Sequence, residues 1–131
     1  MDTSASIRCR LVACRGFMGA GWDFYLINDG EVPIDSAELL EIGHEWGNLR
    51  ATDPMDVTVE NIAPGRHEFI CSESGSAEGR VELVFRMQVQ GREARLNFEF
   101  PKLYKLTDQH LKPVAGLRKR GYAVAAESTV P

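Results

Sequence analysis

The feature that most restricts the fold of this chain is a two-residue alternation of apolar and polar side chains across residues 80–100. Apolar residues occupy every second position of residues 81–89, and Val84 is the one apolar residue among the polar positions between them. The alternation resumes after Gly91 and continues over residues 94–100. Successive side chains of a strand point to opposite faces of a sheet. The pattern therefore predicts a long antiparallel hairpin with one wet and one dry face, in a register that a one-residue slip would destroy.

Weaker alternation earlier in the chain predicts further strands. These segments lie near residues 7–13, 22–27, 34–46, 55–59 and 67–71. Turn-forming dipeptides and a small polar run separate them, namely Asn28-Asp29-Gly30, Asp53-Pro54, Pro64-Gly65 and residues 72–79. Within the segment near residues 67–71, His67, Phe69 and Cys71 are expected to share one face. Residues 37–45 also fit a helical stripe, because glutamates favour helix there, but the alternation favours a strand.

About seven strands in 100 residues, with turns at regular spacing, predict an all-β fold. The expected architecture is a two-sheet antiparallel, immunoglobulin-like β-sandwich with an extended C-terminal arm. We assign the sandwich to residues 1–100. The arm takes residues 101–131 and is expected to be extended or to contain a short helical turn.

Two turn regions carry a resemblance to a known class of domain. Residues 22–27, the Asn28-Asp29-Gly30 turn and residues 32–37 resemble the strand–turn–strand unit of bacterial immunoglobulin-like domains. Residues 62–69, with their Pro-Gly turn, are similar to a segment of that class and of fibronectin type III modules. The resemblance covers about residues 6–100 and lacks the antibody pattern of paired cysteines around a tryptophan. It implies a domain that binds or scaffolds other molecules.

The distribution of charge along the 131 residues also changes near residue 100, at the boundary between the predicted sandwich and the predicted arm. Residues 1–100 hold nine arginines, no lysine and 17 acidic residues, a net charge of −8. Residues 101–131 hold six basic and two acidic residues, a net charge of +4. An acidic body argues against nucleic-acid binding, which needs clustered positive charge. No run of about 20 apolar residues predicts a membrane span.

The chain has three cysteines, an odd number, and none of them shows a CxxC spacing. This cysteine usage and the absence of a secretory leader favour a cytoplasmic protein. No cofactor loop is recognised, because residues 16–21 lack the phosphate-binding spacings and precede a strand. No metal site is predicted, since His67 and Cys71 are too far apart on one strand, although His44 could meet His67 across the sheets. Cys14 is expected to be the most exposed thiol, and no catalytic residue is assigned.

Aromatic and basic residues are the candidates for binding. Parity places Trp22 in the core and Tyr25 outside, where Tyr25, Ile27 and Val12 are expected to form an exposed apolar patch typical of interfaces. The expected partner-binding residues come from this patch and from the arm: Tyr25, Ile27, Tyr104, Arg118, Lys119, Arg120 and Tyr122. The arm is expected to dock on a sheet of its own or of a neighbouring subunit, by strand addition and charge pairing.

These features favour a non-enzymatic protein–protein interaction or assembly module that forms a homo-oligomer. A specialised form of this reading is a structural component of a virion or particle surface. The first alternative is a small-ligand or carbohydrate-binding domain that uses His44, Trp46 or Tyr25. The second is an enzyme that uses a cysteine or a histidine, for which the sequence offers no paired acids, triad order or cofactor loop.

Overall fold

The computed structural model describes residues 5–16, 21–73 and 79–130, and for Ala5, Trp46 and residues 127–130 it describes the backbone alone. The described residues form nine strands and two 3-10 turns. The strands are β1 (Ala5–Arg15), β2 (Trp22–Asn28), β3 (Ile34–Trp46), β4 (Leu49–Ile62), β5 (His67–Glu73), β6 (Arg80–Val89), β7 (Arg92–Phe100), β8 (Lys112–Val114) and β9 (Lys119–Val130). The turns cover Leu103–Lys105 and Asp108–His110.

The strands form two antiparallel sheets. The first sheet has the order β5-β2-β1-β9-β8, and the second has the order β4-β3-β6-β7. Every paired neighbour runs antiparallel. The predicted all-β, two-sheet antiparallel sandwich is therefore confirmed. This architecture is consistent with the immunoglobulin-like resemblance at the level of the fold.

The predicted hairpin is β6 and β7, paired from Val81 with Phe100 to Val89 with Arg92. Gln90 and Gly91 form its two-residue turn, with φ values of 54° and 74°. Positive φ at both positions is what the twist of a two-residue hairpin turn requires, and glycine adopts it without strain. The inward side chains, including Leu83, Phe85 and Phe98, are fully buried between the sheets.

Residues 37–45 belong to β3 and form no helix. β3 lies between β4 and β6 and pairs with both of them. Ladder pairing on both edges, together with burial of Leu39 and Ile42 in the core, outweighs the local helix propensity of the glutamates.

Two predictions in β4 and β5 are wrong, and each error coincides with a bulge. Asp53-Pro54 does not form a turn but lies inside β4, where Pro54 opposes Glu41 at a shift of register. A proline is tolerated there because β4 is an edge strand of its sheet.

In β5 the register shifts between Phe24, which opposes Cys71, and Tyr25, which opposes Phe69. The extra residue reverses the parity, so Phe69 is exposed whereas Cys71 packs against the core.

The segment after residue 100 contains both 3-10 turns, β8 and β9. β9 pairs with β1 of its own chain over ten residues, from Ala5 with Val130 to Cys14 with Gly121. The turns place Leu103, Leu106 and Leu111 against the main core. Residues of the predicted arm therefore contribute two strands and part of the core to the sandwich.

A buried asparagine secures the turn after β2. The side chain of Asn28 donates to the carbonyl oxygens of Val32 and Ile62, both at 2.9 Å, and accepts from the amide of Gly30. Arg10 holds the next residue, Asp29, through two hydrogen bonds of 2.6 and 3.0 Å. Every polar atom of the Asn28 side chain is therefore satisfied, as a buried amide requires.

Candidate functional site

The outer face of the first sheet carries a second apolar cluster, separate from the main core. We call it the outer cluster; it consists of Val12, Cys14, Ile27, Val114 and Leu117. Alternation in β1 and β2 turns the first three side chains outward, and β8 with the turn that follows it covers them. Val12 and Ile27 do lie beside Tyr25 as predicted, but both are buried, so the expected exposed patch is not exposed at these two positions.

Tyr25 lies at the border of the outer cluster and belongs to a more open group of rings. The ring of Phe69 lies edge-on to it with centroids 5.6 Å apart, and the ring of His67 does so at 6.1 Å. Phe69 keeps 48% of its surface exposed. We call Tyr25, His67 and Phe69 the aromatic surface. It joins β2 to β5, the edge strand of the first sheet.

Lys119 connects the C-terminal segment to the aromatic surface. Its ammonium group donates a hydrogen bond of 2.8 Å to the hydroxyl of Tyr25 and lies 5.0 Å from the centre of that ring. The hydrogen bond is the main reason that the pKa of Lys119 is raised. The lysine therefore stays charged at neutral pH, and it places a cation at the margin of the exposed rings.

The other two basic residues expected to bind a partner, Arg118 and Arg120, have different surroundings. Arg118 is exposed, in a turn that gives it a φ of 56°. Arg120 donates two hydrogen bonds, of 3.2 and 2.8 Å, to the carbonyl oxygen of Leu111. Arg120 and Lys119 also line a cleft of about 670 Å³, in which Arg15 lies 3.5 Å from the carboxylate of Asp108. This cleft has acidic and basic walls and thus no single charge preference.

Two predicted tyrosines lie away from the aromatic surface. Tyr104, in the first 3-10 turn, is 52% exposed and has the ammonium group of Lys105 above its ring at 6.0 Å. Tyr122 is half-buried and packs on Phe100 with ring centres 6.2 Å apart. The predicted partner-binding residues therefore do not form one surface. Tyr25 and Lys119 are in direct contact, whereas Tyr104 and Tyr122 belong to a different region.

The residues proposed for ligand binding are also separated. His44 lies on the core side of β3, 3.8 Å from the carboxylate of Glu73 in the opposite sheet. Burial is the largest cause of a raised pKa at Glu73, and the charge of Asp53 adds to it while His44 opposes it. Tyr25 lies on the outer face of the first sheet instead. The side chain of Trp46 is outside the described residues.

The expected approach of His44 to His67 across the sheets does not occur. His44 lies near the carboxylate of Glu73 instead, and His67 belongs to the aromatic surface. The described ranges contain no group of three or more residues arranged to hold a metal ion. Of the glycine-rich segment over residues 16–21, positions 17–20 lie outside the described residues.

The cysteines are poorly placed for thiolate chemistry. Burial raises the pKa of Cys9 and of Cys71 to about 12 in each case, and it raises the pKa of Cys14 as well. The expectation that Cys14 is exposed is wrong, because it lies buried in the outer cluster. A thiol whose pKa is raised stays protonated at neutral pH, and the protonated form is a weak nucleophile.

Sequence reasoning missed Phe69 and His67 as surface residues. Both were expected to face inward with Cys71, and only the bulge at Ile70 reverses that parity. Nothing in the local sequence marks the bulge, since Ile70 and Phe69 are both apolar and either could have been the buried residue.

No helical segment in the described ranges has the length and apolar character needed to cross a membrane. Comparison of the chain with protein-family models, with curated proteins and with solved structures finds no match.

Proposed function

We propose that the protein is a non-enzymatic interaction module that self-associates through the aromatic surface and the adjoining edge of β5. The observation that carries the proposal is the exposed ring of Phe69, held against Tyr25 on an edge strand. Aromatic side chains are enriched in the buried centres of protein interfaces, where a few of them supply most of the binding energy.

The edge of β5 adds a second element of recognition. β5 pairs with β2 on one side, and within the described residues no strand pairs with its other side. A free edge presents unpaired amide and carbonyl groups that can extend the sheet into a second chain. An antiparallel pair of β5 strands centred on Phe69 would set the two phenyl rings directly opposite each other. Such cross-strand aromatic pairs stabilise a sheet.

The C-terminal segment supports this surface from within the same chain. Val114 and Leu117 cover the outer cluster, and Lys119 holds the hydroxyl of Tyr25. A ring that is already fixed loses little conformational entropy on binding, so the contact favours association. The role proposed for the arm is thus to shape the interface rather than to exchange between subunits.

Light scattering at several protein concentrations tests this proposal. The intact chain is expected to show a mass that rises from monomer to dimer with concentration, and Phe69→Ser is expected to stay monomeric. Leu49→Ser is the matched control, because Leu49 is 61% exposed on β4 of the other sheet. The control should associate like the original chain.

Three outcomes contradict the proposal. The intact chain could remain a monomer at every concentration, Phe69→Ser could associate normally, or both serine variants could lose association equally.

A further inference from the structure

A second cleft lies on the molecule where the chain leaves β7 and enters the 3-10 turns. Its volume is about 450 Å³. Side chains from β6, from the turns and from β9 meet there: Arg80, Pro101, Lys102, Lys105, Leu106, His110 and Tyr122. We call it the basic cleft. Cavities of roughly 300–1,000 Å³ are typical of sites for small molecules.

The charge of the basic cleft is one-sided. Three of the seven lining residues carry a fixed positive charge, one is a histidine, and no acidic side chain lines the cleft. Arg80 lies 3.3 Å from the carboxylate of Glu45, a residue that does not line the cleft. Within the described ranges neither Lys102 nor Lys105 forms an ion pair, and the ammonium group of Lys105 lies 6.0 Å from the centre of the Tyr104 ring. Two ammonium groups therefore remain available in a protein whose net charge is −4.

The hydrogen bonds of His110 determine which of its ring nitrogens can donate. The backbone amide of Thr107 donates to Nδ1 of His110 at 2.9 Å. An Nδ1 that accepts a hydrogen bond carries no proton, so the ring proton of the neutral imidazole lies on Nε2. His110 lines the cleft and in its neutral form carries its one donor on Nε2. The other polar groups of the wall can donate as well.

The remaining side chains of the wall present apolar surface and pack against the interior of the protein. Leu106 is buried against the main core, and the ring of Tyr122 packs on Phe100. Pro101 completes this side. The cleft therefore combines a group of donors with an apolar surface, which is the arrangement that a small molecule with a charged end and an apolar body requires.

We infer that the basic cleft binds a small organic anion, whose phosphate or carboxylate is held by Lys102 and Lys105 and whose apolar body lies against Leu106 and Tyr122. Charge-assisted hydrogen bonds from ammonium groups are the strong polar contacts that such an anion needs. The inference does not depend on the proposed self-association, because the basic cleft and the aromatic surface share no residue.

Nuclear magnetic resonance of the isotopically labelled chain, titrated with phenyl phosphate, tests the inference. Saturable shifts are expected in the amide signals of residues 102–106, His110 and Tyr122. Inorganic phosphate supplies the charge without the ring, and benzyl alcohol supplies the ring without the charge. Each is expected to bind about tenfold more weakly or worse than phenyl phosphate, since each loses one class of contact.

A pair of matched double variants then locates the site. Lys102→Glu with Lys105→Glu is expected to weaken phenyl phosphate binding by about tenfold or more, because attraction becomes repulsion. Lys112→Glu with Arg118→Glu changes the net charge by the same amount at exposed positions outside the cleft, and it should bind like the original chain. The unshifted amide signals of both variants report whether the fold is intact.

Several results would overturn the inference. These are an absence of saturable shifts, equal binding of benzyl alcohol and phenyl phosphate, or equal binding of inorganic phosphate and phenyl phosphate. An equal loss of affinity in the two double variants would also overturn it, since it would reveal an effect of net charge alone. Should Lys102→Glu with Lys105→Glu unfold the chain, Lys102→Gln and Lys105→Gln provide milder changes at the same wall, since each removes one ammonium group. Unchanged affinity in both of them would count against the site.

Discussion

The outer faces of the two sheets carry opposite kinds of side chain. The second sheet carries charged side chains that pair with one another: Arg86 lies 2.7 Å from Glu38, and Arg50 lies 2.6 Å from Glu82. The first sheet carries apolar side chains instead, and Val114 and Leu117 from the C-terminal segment cover them. Alternation alone keeps the outer face of the second sheet polar, whereas the outer face of the first sheet is covered by Val114 and Leu117, which lie far along the chain from β1 and β2.

The contrast shows where the stability of this fold resides. Exposed ion pairs contribute little, because water and salt screen them and their long side chains lose entropy when they pair. Burial of apolar surface contributes far more. The second sheet should therefore tolerate changes on its outer face, and the first sheet should not.

Removal of residues 102–131 should have the largest effect. It deletes β8 and β9, uncovers the outer cluster and removes the buried Leu103, Leu106 and Leu111 from the main core. A fully buried leucine contributes about 1.5–3 kcal/mol, and a domain has only about 5–15 kcal/mol of total stability. We expect the shortened chain to lose its cooperative thermal transition, measured by circular dichroism.

A chain that ends at Glu127 is the control for this truncation, because it keeps most of the β1–β9 register. It should unfold cooperatively. If the chain ending at Pro101 melts as sharply as the control, residues 1–100 form a complete sandwich and the comparison between the sheets is wrong.

Substitution of two glycines, one in each sheet, should change the free energy of unfolding by an intermediate amount. A Cβ added to Gly121 in β9 would collide with Cγ1 of Val12 and lie 3.0 Å from the carbonyl oxygen of Ala13. A Cβ added to Gly43 in β3 would meet only the flexible side chain of Arg50, with Nη2 at 3.1 Å. Gly121→Ala is expected to lower the free energy of unfolding by about 1–3 kcal/mol. Gly43→Ala should stay within about 0.5 kcal/mol of the original chain.

Urea unfolding of both glycine variants measures the difference. Equal stability of the two would mean that β9 does not pack closely on β1. That result would contradict the register from Ala5 to Cys14.

The smallest effect on the free energy of unfolding is expected from the substitution of two arginines. Arg10 makes two hydrogen bonds to Asp29 beside the first sheet, and both side chains are 33% exposed. Arg86 pairs with Glu38 on the open face of the second sheet. Arg10→Gln should lower the free energy of unfolding by up to about 1 kcal/mol. Arg86→Gln should leave the unfolding midpoint nearly unchanged in 0.15 M salt. A larger effect at Arg86 would show that the charged face contributes to stability after all.

Much of the fold follows from local pattern, and the hairpin of residues 80–100 is the clearest case. Apart from Val84 its strand positions alternate, so the faces, the turn at Gly91 and the register all follow from the side chains themselves. The same reasoning placed Tyr25 outside. It failed at Phe69 and at Pro54, where one extra residue in a ladder shifts the parity of everything beyond it.

The candidate sites depended on the tertiary structure to a greater degree. Sequence alone identified Tyr25, Lys119 and Tyr122 as binding candidates but could not assign them to two separate surfaces. It also showed that basic residues concentrate in residues 101–131, without placing any of them beside Arg80. These groupings arise because β9 pairs with β1, and such pairing joins residues more than 100 positions apart in the chain.

The amino-acid sequence by itself therefore determined the all-β class, the two faces of the β6–β7 hairpin and the division between an acidic body and a basic C-terminal segment. Periodicity and charge are local properties that any window of the chain displays. The tertiary structure decided the bulges, the cover over the outer cluster and the walls of the basic cleft. Each of these depends on which distant strands pair and in what register, and that choice is made by burying apolar surface over the whole molecule at once.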